Sequence, residues 1–263
     1  MKKTGKLFND NIKIILLYSA IILIWQLSYF ILVEKLSAVK MYIFPSPKGI
    51  ILSLIKLTSN KILIDAIFNS FEKILIGFSI SIILGVILGL LMKRYSFLSK
   101  AMKPLILGLQ TLPSICYVPF AVLWFGLSDS ATVFVIIVGS VFSICISTES
   151  AIKNVNPTFI RVAKTMGASN FDVYTKVVLP ASIPEFISGL KHGWSFAWRA
   201  LIAGEMVSGS IGGLGYVLLI GRELLDINQV MVVILIIILI SVIIEKLIFG
   251  KAENIIRKKI GQD

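Results

Sequence analysis

Ile74-Leu75-Ile76-Gly77-Phe78-Ser79-Ile80-Ser81-Ile82-Ile83-Leu84-Gly85-Val86-Ile87-Leu88-Gly89-Leu90-Leu91-Met92 runs nineteen residues without a charge and is closed by Lys93 and Arg94. Wound as a helix it rises about 28 Å, close to the ~30 Å hydrocarbon core of a bilayer. It therefore reads as a membrane span. Within it Gly77, Ser81, Gly85 and Gly89 recur every fourth residue and form one smooth ridge. Such a ridge lets another backbone approach closely, either inside one bundle or between subunits.

Outward from this segment the same composition repeats. Of 263 residues 57% are hydrophobic and 15% charged, against roughly 25% charged in a soluble domain. Further apolar stretches run from about Ile14 to Val33, Leu105 to Phe125, Ala131 to Thr148, Ile183 to Val207 and Val230 to Phe249. Six spans make an all-α polytopic membrane protein with both termini on one side. The first run is longer than a signal-peptide core and is read as an uncleaved span. Pro113 and Pro119 interrupt the third, where freed carbonyls mark a hinge, a cavity wall or a tolerated kink.

The charge balance sets orientation. The formal net charge of +12 fits Lys/Arg enrichment beside anionic lipid rather than nucleic-acid binding, for which no separate basic domain exists. With the N-terminus inside, seventeen Lys/Arg fall in cytoplasmic segments and seven outside, Lys73 among the latter, while Lys191 and Arg199 lie within the fifth span. The expectation is N-in, C-in. Phe44-Pro45-Ser46-Pro47 followed by Ile50, Leu54 and Leu57 suggests a turn and a short helix on the outer membrane surface. Cys116 and Cys145, both in apolar stretches, read as buried hydrophobes, and one histidine with two scattered cysteines offers no metal cluster.

The segment from about Glu149 to Ser182 is too long for a simple helix link. Pro157 suits a first helical turn, Gly167 its end, and Ser169 or Asn170 the cap of a second short helix over Phe171–Lys176. Two short amphipathic helices meeting at an elbow would present Phe159, Met166 and Phe171 as knobs for a partner's groove.

In the fifth span, Ser188, His192, Ser195 and Arg199 recur at intervals of four, three and four and share one helical face. Charge at membrane depth is costly, so the stripe faces a cavity or a partner. Arg199 either offers its planar fork to an anion or pairs with an acid such as Glu205. Glu205 lies six residues on, about 240° around a helix, so that pair would cross between helices. Lys191 is expected to snorkel to the interface. Gly209, Gly212, Gly213 and Gly215 form either a turn or a flexible outer gate.

Ala163, three residues, Gly167, nine residues, then Val177-Val178-Leu179-Pro180 resembles the coupling-loop signature of ATP-binding-cassette importer permeases. Arg161 and Val162 stand where that signature has Glu and Ala, and Val177 where it has Ile. Phe44-Pro45-Ser46-Pro47, Leu112-Pro113 with Pro119, Leu123-Trp124-Phe125-Gly126, Gly193-Trp194, Ala197-Trp198, Glu205-Met206 and Gly213-Leu214-Gly215 resemble the nitrate, sulfonate and taurine members.

The resemblance implies a type I permease fold. Residues 1–13 and 251–263 would be cytoplasmic tails, and 14–250 a single transmembrane domain with its coupling loop at about 149–182. It also implies a homodimer in a prokaryotic plasma (inner) membrane, two cytoplasmic ATPases and an extracytoplasmic substrate-binding protein. Phe159, Arg161, Ala163, Met166, Gly167, Phe171, Leu179 and Pro180 would couple to the ATPases. Ser188, His192, Ser195, Arg199, Glu205, Pro113 and Pro119 are the candidates for the pathway. No Gly-x-x-x-x-Gly-Lys-Ser/Thr loop occurs, so the chain is read as non-catalytic and binding no cofactor, with ATP and Mg on the partner. Sulfonates or taurine lead as substrate, before nitrate, bicarbonate and a thiamine-precursor pyrimidine. Rival classes are an ion-gradient-driven secondary transporter, which needs no ATPase, and a membrane enzyme, for which no constellation of acid, base and nucleophile assembles.

Overall fold

The computed structural model describes residues 2–260 except 39, 41 and 211; the side chains of residues 2–12, 14, 15 and 257–260 are outside the description. In chain order the helices are α1 (Lys2–Tyr29), α2 (Pro47–Ser59), α3 (Ile62–Arg94), α4 (Ser96–Gln110), α5 (Val118–Phe125), α6 (Asp129–Lys153), α7 (Pro157–Thr165), α8 (Asn170–Asp172), α9 (Leu179–Val207), α10 (Leu214–Glu223), α11 (Ile227–Ile244) and α12 (Lys251–Ile260). No strand occurs among the described residues. Among the described residues four helical stretches are long and apolar enough to cross a membrane: Leu16–Lys35, Ile62–Arg94, Asp129–Lys153 and Ile227–Ile256. Helix α9 has the length, at 29 residues, but carries Glu185, Lys191, Arg199 and Glu205.

Two spans differ from the sequence reading. The second begins at Ile62, ahead of both Ile74 and Ala66, the two starts the sequence offers, because Asp65, Glu72 and Lys73 sit within a helical pattern that continues beyond the uncharged run. The third is not one helix. It breaks after Gln110, passes through a 3-10 turn at Ser114–Tyr117 and resumes in α5, with a bend of 103°. Pro113 stands immediately before that turn and Pro119 in the first turn of α5, where its missing N–H costs no helical hydrogen bond. Pro113 thus marks the break, while Pro119 starts a helix rather than interrupting one.

The fold divides into two compact units. The first comprises Met1–Ile64 and Val217–Ile236. In it the expected turn and short helix are present: Ser46 caps α2 by accepting from the Gly49 N–H at 2.9 Å, with Pro47 at its start. Trp25 donates to the Pro45 carbonyl at 3.0 Å, and the Asn228 side chain accepts from the Ser46 N–H at 3.2 Å.

The second unit comprises Asp65–Tyr216 and Ile237–Asp263. The small-residue ridge of α3 is used here, against α6. A Cβ at Gly77 would stand 2.7 Å from Ile136, at Gly85 2.8 Å from Ile144 and at Gly89 2.6 Å from Thr148. Ser81 fills the same line by accepting from Ser140 at 2.8 Å. Of the two uses open to the ridge, packing within the chain is the one adopted. Helix α9 also lies against α6, through Gly189, Gly193 and Gly204. Cys145 is buried as expected, beside Met92; Cys116 is exposed, in the turn that breaks the third span.

Candidate functional site

The segment after α6 folds from local signals. Asn156 accepts from the Thr158 N–H at 2.9 Å and Pro157 occupies the first turn of α7. The helix ends where Gly167 takes φ +83°, a left-handed conformation that glycine adopts without a Cβ penalty. The Gly167 N–H donates to Lys164 and the Ala168 N–H to Ala163, each at 3.0 Å. That pair of bonds is a Schellman termination. Ser169 then caps α8, accepting from the Asp172 N–H at 3.1 Å. The second arm is not a separate short helix: α8 passes through a π-helical stretch at Val173–Val178 directly into α9. The elbow is one short helix hinged onto the end of a long one.

Its inner side is a core of Ile152, Val155, Val173 and Val178, with Ala163 half-buried against it. Its outer side is apolar and uncovered. Phe159 is 52% exposed, Met166 82% and Phe171 77%, and Arg161, Gly167, Leu179 and Pro180 are exposed with them. A hollow of about 420 Å³ opens beside Phe159, Met166 and Pro180. Lys176 holds the Asp172 carboxylate at 2.6 Å, and that contact with the Ser169 hydroxyl keeps the carboxyl below its ordinary range.

Helix α9 has two unlike faces. Gly189, Gly193, Trp194, Ala197, Trp198, Leu201, Gly204 and Glu205 are buried. Trp194 packs edge-on to Phe78 at 5.2 Å and Trp198 edge-on to Phe71 at 6.0 Å. On the other face Ser188 and Ser195 are half-buried and His192 and Arg199 exposed. Arg199 donates from Nε to the Ser195 carbonyl at 3.1 Å and lies 4.7 Å from the Phe196 ring. It meets no carboxylate among the described residues, so the structural ion pair considered for it is absent. Lys191 does not snorkel freely either, but pairs with Glu245 at 2.6 Å.

Glu205 is not on the open face. It is 1% exposed and is held by four groups. Ser70 donates at 2.8 Å, Lys73 at 3.4 Å and the Gly215 N–H at 2.8 Å; Gly213 is packed so closely that any Cβ there would collide with the carboxylate. Lys73 also reaches Asp129 at 3.2 Å and Ser210 at 2.6 Å. Of the glycines after α9, Gly213 and Gly215 therefore pack against a buried carboxylate, while Gly209 lies against Leu127 and Gly212 against Asn69. The sequence reading missed Lys73 by assigning it to the outer loop; the helical pattern running back to Ile62 was the available signal.

Comparison with known proteins agrees with this architecture. The model of the family described as "Binding-protein-dependent transport system inner membrane component" matches residues 81–255. A Methanocaldococcus jannaschii protein that carries the provisional name of an ABC transporter permease is 34% identical over 70% of this chain and 69% of its own length. The formylaminopyrimidine transport permease protein of Halalkalibacterium halodurans is 30% identical, over 76% of this chain and 77% of that protein. An Escherichia coli permease provisionally named for aliphatic sulfonates is 29% identical, over 82% and 80%. Among solved structures, a chain of a methionine ABC transporter superposes with a TM-score of 0.61 at 17% identity, over 76% of this chain and 97% of that one. The last is a likeness of fold.

Proposed function

The chain belongs to the binding-protein-dependent transport system inner membrane component family, and from that premise we propose that it is the membrane-spanning half of an ATP-driven importer for a small anionic nutrient. The observation that carries the proposal is the elbow. Three large apolar side chains stand uncovered on a rigidly capped turn between α6 and α9. Exposed apolar knobs on a fixed scaffold fit a partner's groove better than open water. Two cytoplasmic ATPases would take them, with ATP and Mg held on those partners. Because the second arm of the elbow runs unbroken into α9, closure of the ATPases would pull on that helix as a lever, a rigid-body switch rather than a chemical step.

In this reading the four apolar stretches, the bent α4–α5 pair and α9 make six spans with both termini cytoplasmic. A second copy of the chain faces the polar side of α9, where Ser188, His192, Ser195 and Arg199 line the pathway. Arg199, which meets no acid among the described residues, favours an anionic head group. Sulfonates such as taurine rank first, because a permease named for sulfonates is among the relatives. Nitrate, bicarbonate and a thiamine-precursor pyrimidine are the competitors. An extracytoplasmic binding protein would deliver the substrate.

The test is a tagged pull-down from native membrane in mild detergent, with mass spectrometry of the co-purifying chains. A stoichiometric ATPase is expected with the wild type and loss of it with Met166→Asp/Phe171→Asp, while the variant still elutes as a monodisperse species. Equal ATPase recovery by both would refute the role of the elbow. A co-purifying binding protein, screened against the four substrate classes, tests the ligand.

A further inference from the structure

We propose that the groove between the end of α3 and the α8–α9 helix is a binding site for an anionic phospholipid. Its mouth is an open hollow of about 880 Å³ lined by Ile87, Leu91, Lys93, Arg94, Phe171 and Tyr174. Leu90 lines this hollow and also a second, of about 330 Å³, formed by Val86, Ile183, Phe186 and neighbouring side chains of α3, α6 and α9. The two thus adjoin at Leu90 along α3, one basic and amphipathic, the other apolar.

Charge and position choose the occupant. Lys93 and Arg94 close a 33-residue span, at the depth where a span leaves the hydrocarbon and phosphate groups begin. Neither meets a carboxylate among the described residues. The nearby Asp172 is already taken by Lys176 and Ser169. A phosphodiester at Lys93 and Arg94 would satisfy both, as basic pockets at the ends of spans do. Deeper in, Leu90, Ile183 and Leu179 are 37–39% exposed and offer an acyl chain a slot lined by side chains on both walls. A partner outside the membrane would meet the charged mouth but could not follow the slot into the bilayer. A free phosphate would leave the slot unused.

The site adjoins Phe171 of the elbow, so occupancy would steady the joint through which the proposed ATPases act. The lipid proposal itself needs only that α3 crosses the membrane. The cytoplasmic leaflet as its source rests on the orientation given above.

The chain is purified with its co-purifying partners in mild detergent, and native mass spectrometry follows retained lipid as phosphatidylglycerol is titrated. Lys93→Gln/Arg94→Gln is expected to weaken binding about fivefold per charge, about twenty-five-fold in all. Leu90→Trp, which fills the slot and keeps both charges, should weaken it as well. Phosphatidylcholine with the same chains should bind the wild type no better than phosphatidylglycerol binds the double variant. Unchanged retention in both variants, each still monodisperse, would overturn the site. So would displacement by glycerol phosphate alone, which marks a free-phosphate site, or lipid binding only after the partners are stripped away, which marks a protein interface. Orientation is read separately: labelling of Lys93→Cys by an impermeant maleimide from outside intact cells would refute the N-in topology without touching the lipid result.

Discussion

Removing the Lys73 ammonium should damage this fold more than almost any surface change, and removing its partner as well should cost clearly less than the two separate losses added. The Glu205 side chain is fully buried and that of Lys73 is 7% exposed, with 3.4 Å between the charges. Breaking a buried pair by deleting one member leaves an uncompensated charge and costs about 3–5 kcal/mol. Lys73→Met therefore strands the Glu205 carboxylate, which keeps Ser70 and the Gly215 N–H but loses its counter-charge. Glu205→Gln strands Lys73 less completely, because Asp129 still stands 3.2 Å away with a side chain 65% exposed. We expect losses of about 3–5 kcal/mol for Lys73→Met and about 2–3 kcal/mol for Glu205→Gln, with the double variant better than the sum by at least about 2 kcal/mol. The assay is built into the chain. Cys145 is buried and Cys116 exposed, so in a Cys116→Ser background a thiol-reactive dye reports unfolding through Cys145 alone. Denaturant-dependent labelling in detergent then gives the four corners of the cycle. Simple additivity would refute the claim that Lys73 and Glu205 form a coupled buried pair.

Gly167→Ala should cost about 1–2 kcal/mol, since the site holds φ +83° with open space around it and only backbone conformation opposes the methyl. Gly167→Pro, whose φ is fixed near −65°, should leave a folded chain that supports little ATP-driven uptake; uptake at the wild-type level would dismiss the elbow as a lever. In the α3 ridge, Gly85→Val places atoms where a Cβ is already 2.8 Å from Ile144 and 3.1 Å from the Val141 carbonyl. It should cost at least about 1–3 kcal/mol, whereas Ile83→Val on the open face of the same helix should cost under about 0.5 kcal/mol; equal labelling curves would contradict the packing. The Asp172 carboxyl is held low by Lys176 and Ser169, so its stabilisation of the elbow is complete above the ordinary carboxylate range, declines as pH falls below that range and is lost once pH has passed through the depressed value. Hydrogen exchange of residues 169–176 should quicken across that window in the wild type. In Asp172→Asn, exchange corrected for the intrinsic rate should not change through that window.

How much of this could be read from the sequence depends on how locally each feature is determined. A bilayer demands some twenty apolar residues per helix, so the long spans are plain in α3, α6 and α11. The first arm of the elbow is equally local: Asn156, Pro157, Gly167 and Ser169 each act on the backbone within a few residues. What escaped the sequence is what tertiary geometry decides. The third span was counted as one helix because composition does not register a 103° bend. The second arm was drawn as a short helix because nothing local forbids or requires its fusion to α9. The most instructive case is the charge in the membrane. Reading Glu205 some 240° from Arg199 correctly required a partner on another helix, but Lys73 had been placed in a loop, which left Arg199 as the apparent cation. Once α3 is carried back to Ile62, Lys73 becomes the buried counter-charge. Arg199 is then released from any structural duty to Glu205, on a face of α9 where no carboxylate among the described residues meets it. If α9 crosses the membrane as proposed, a guanidinium kept there, with a backbone carbonyl and an aromatic ring as its partners, is costly unless an anion or water reaches it. The pathway assignment for that face therefore rests on the ion pair Arg199 does not make.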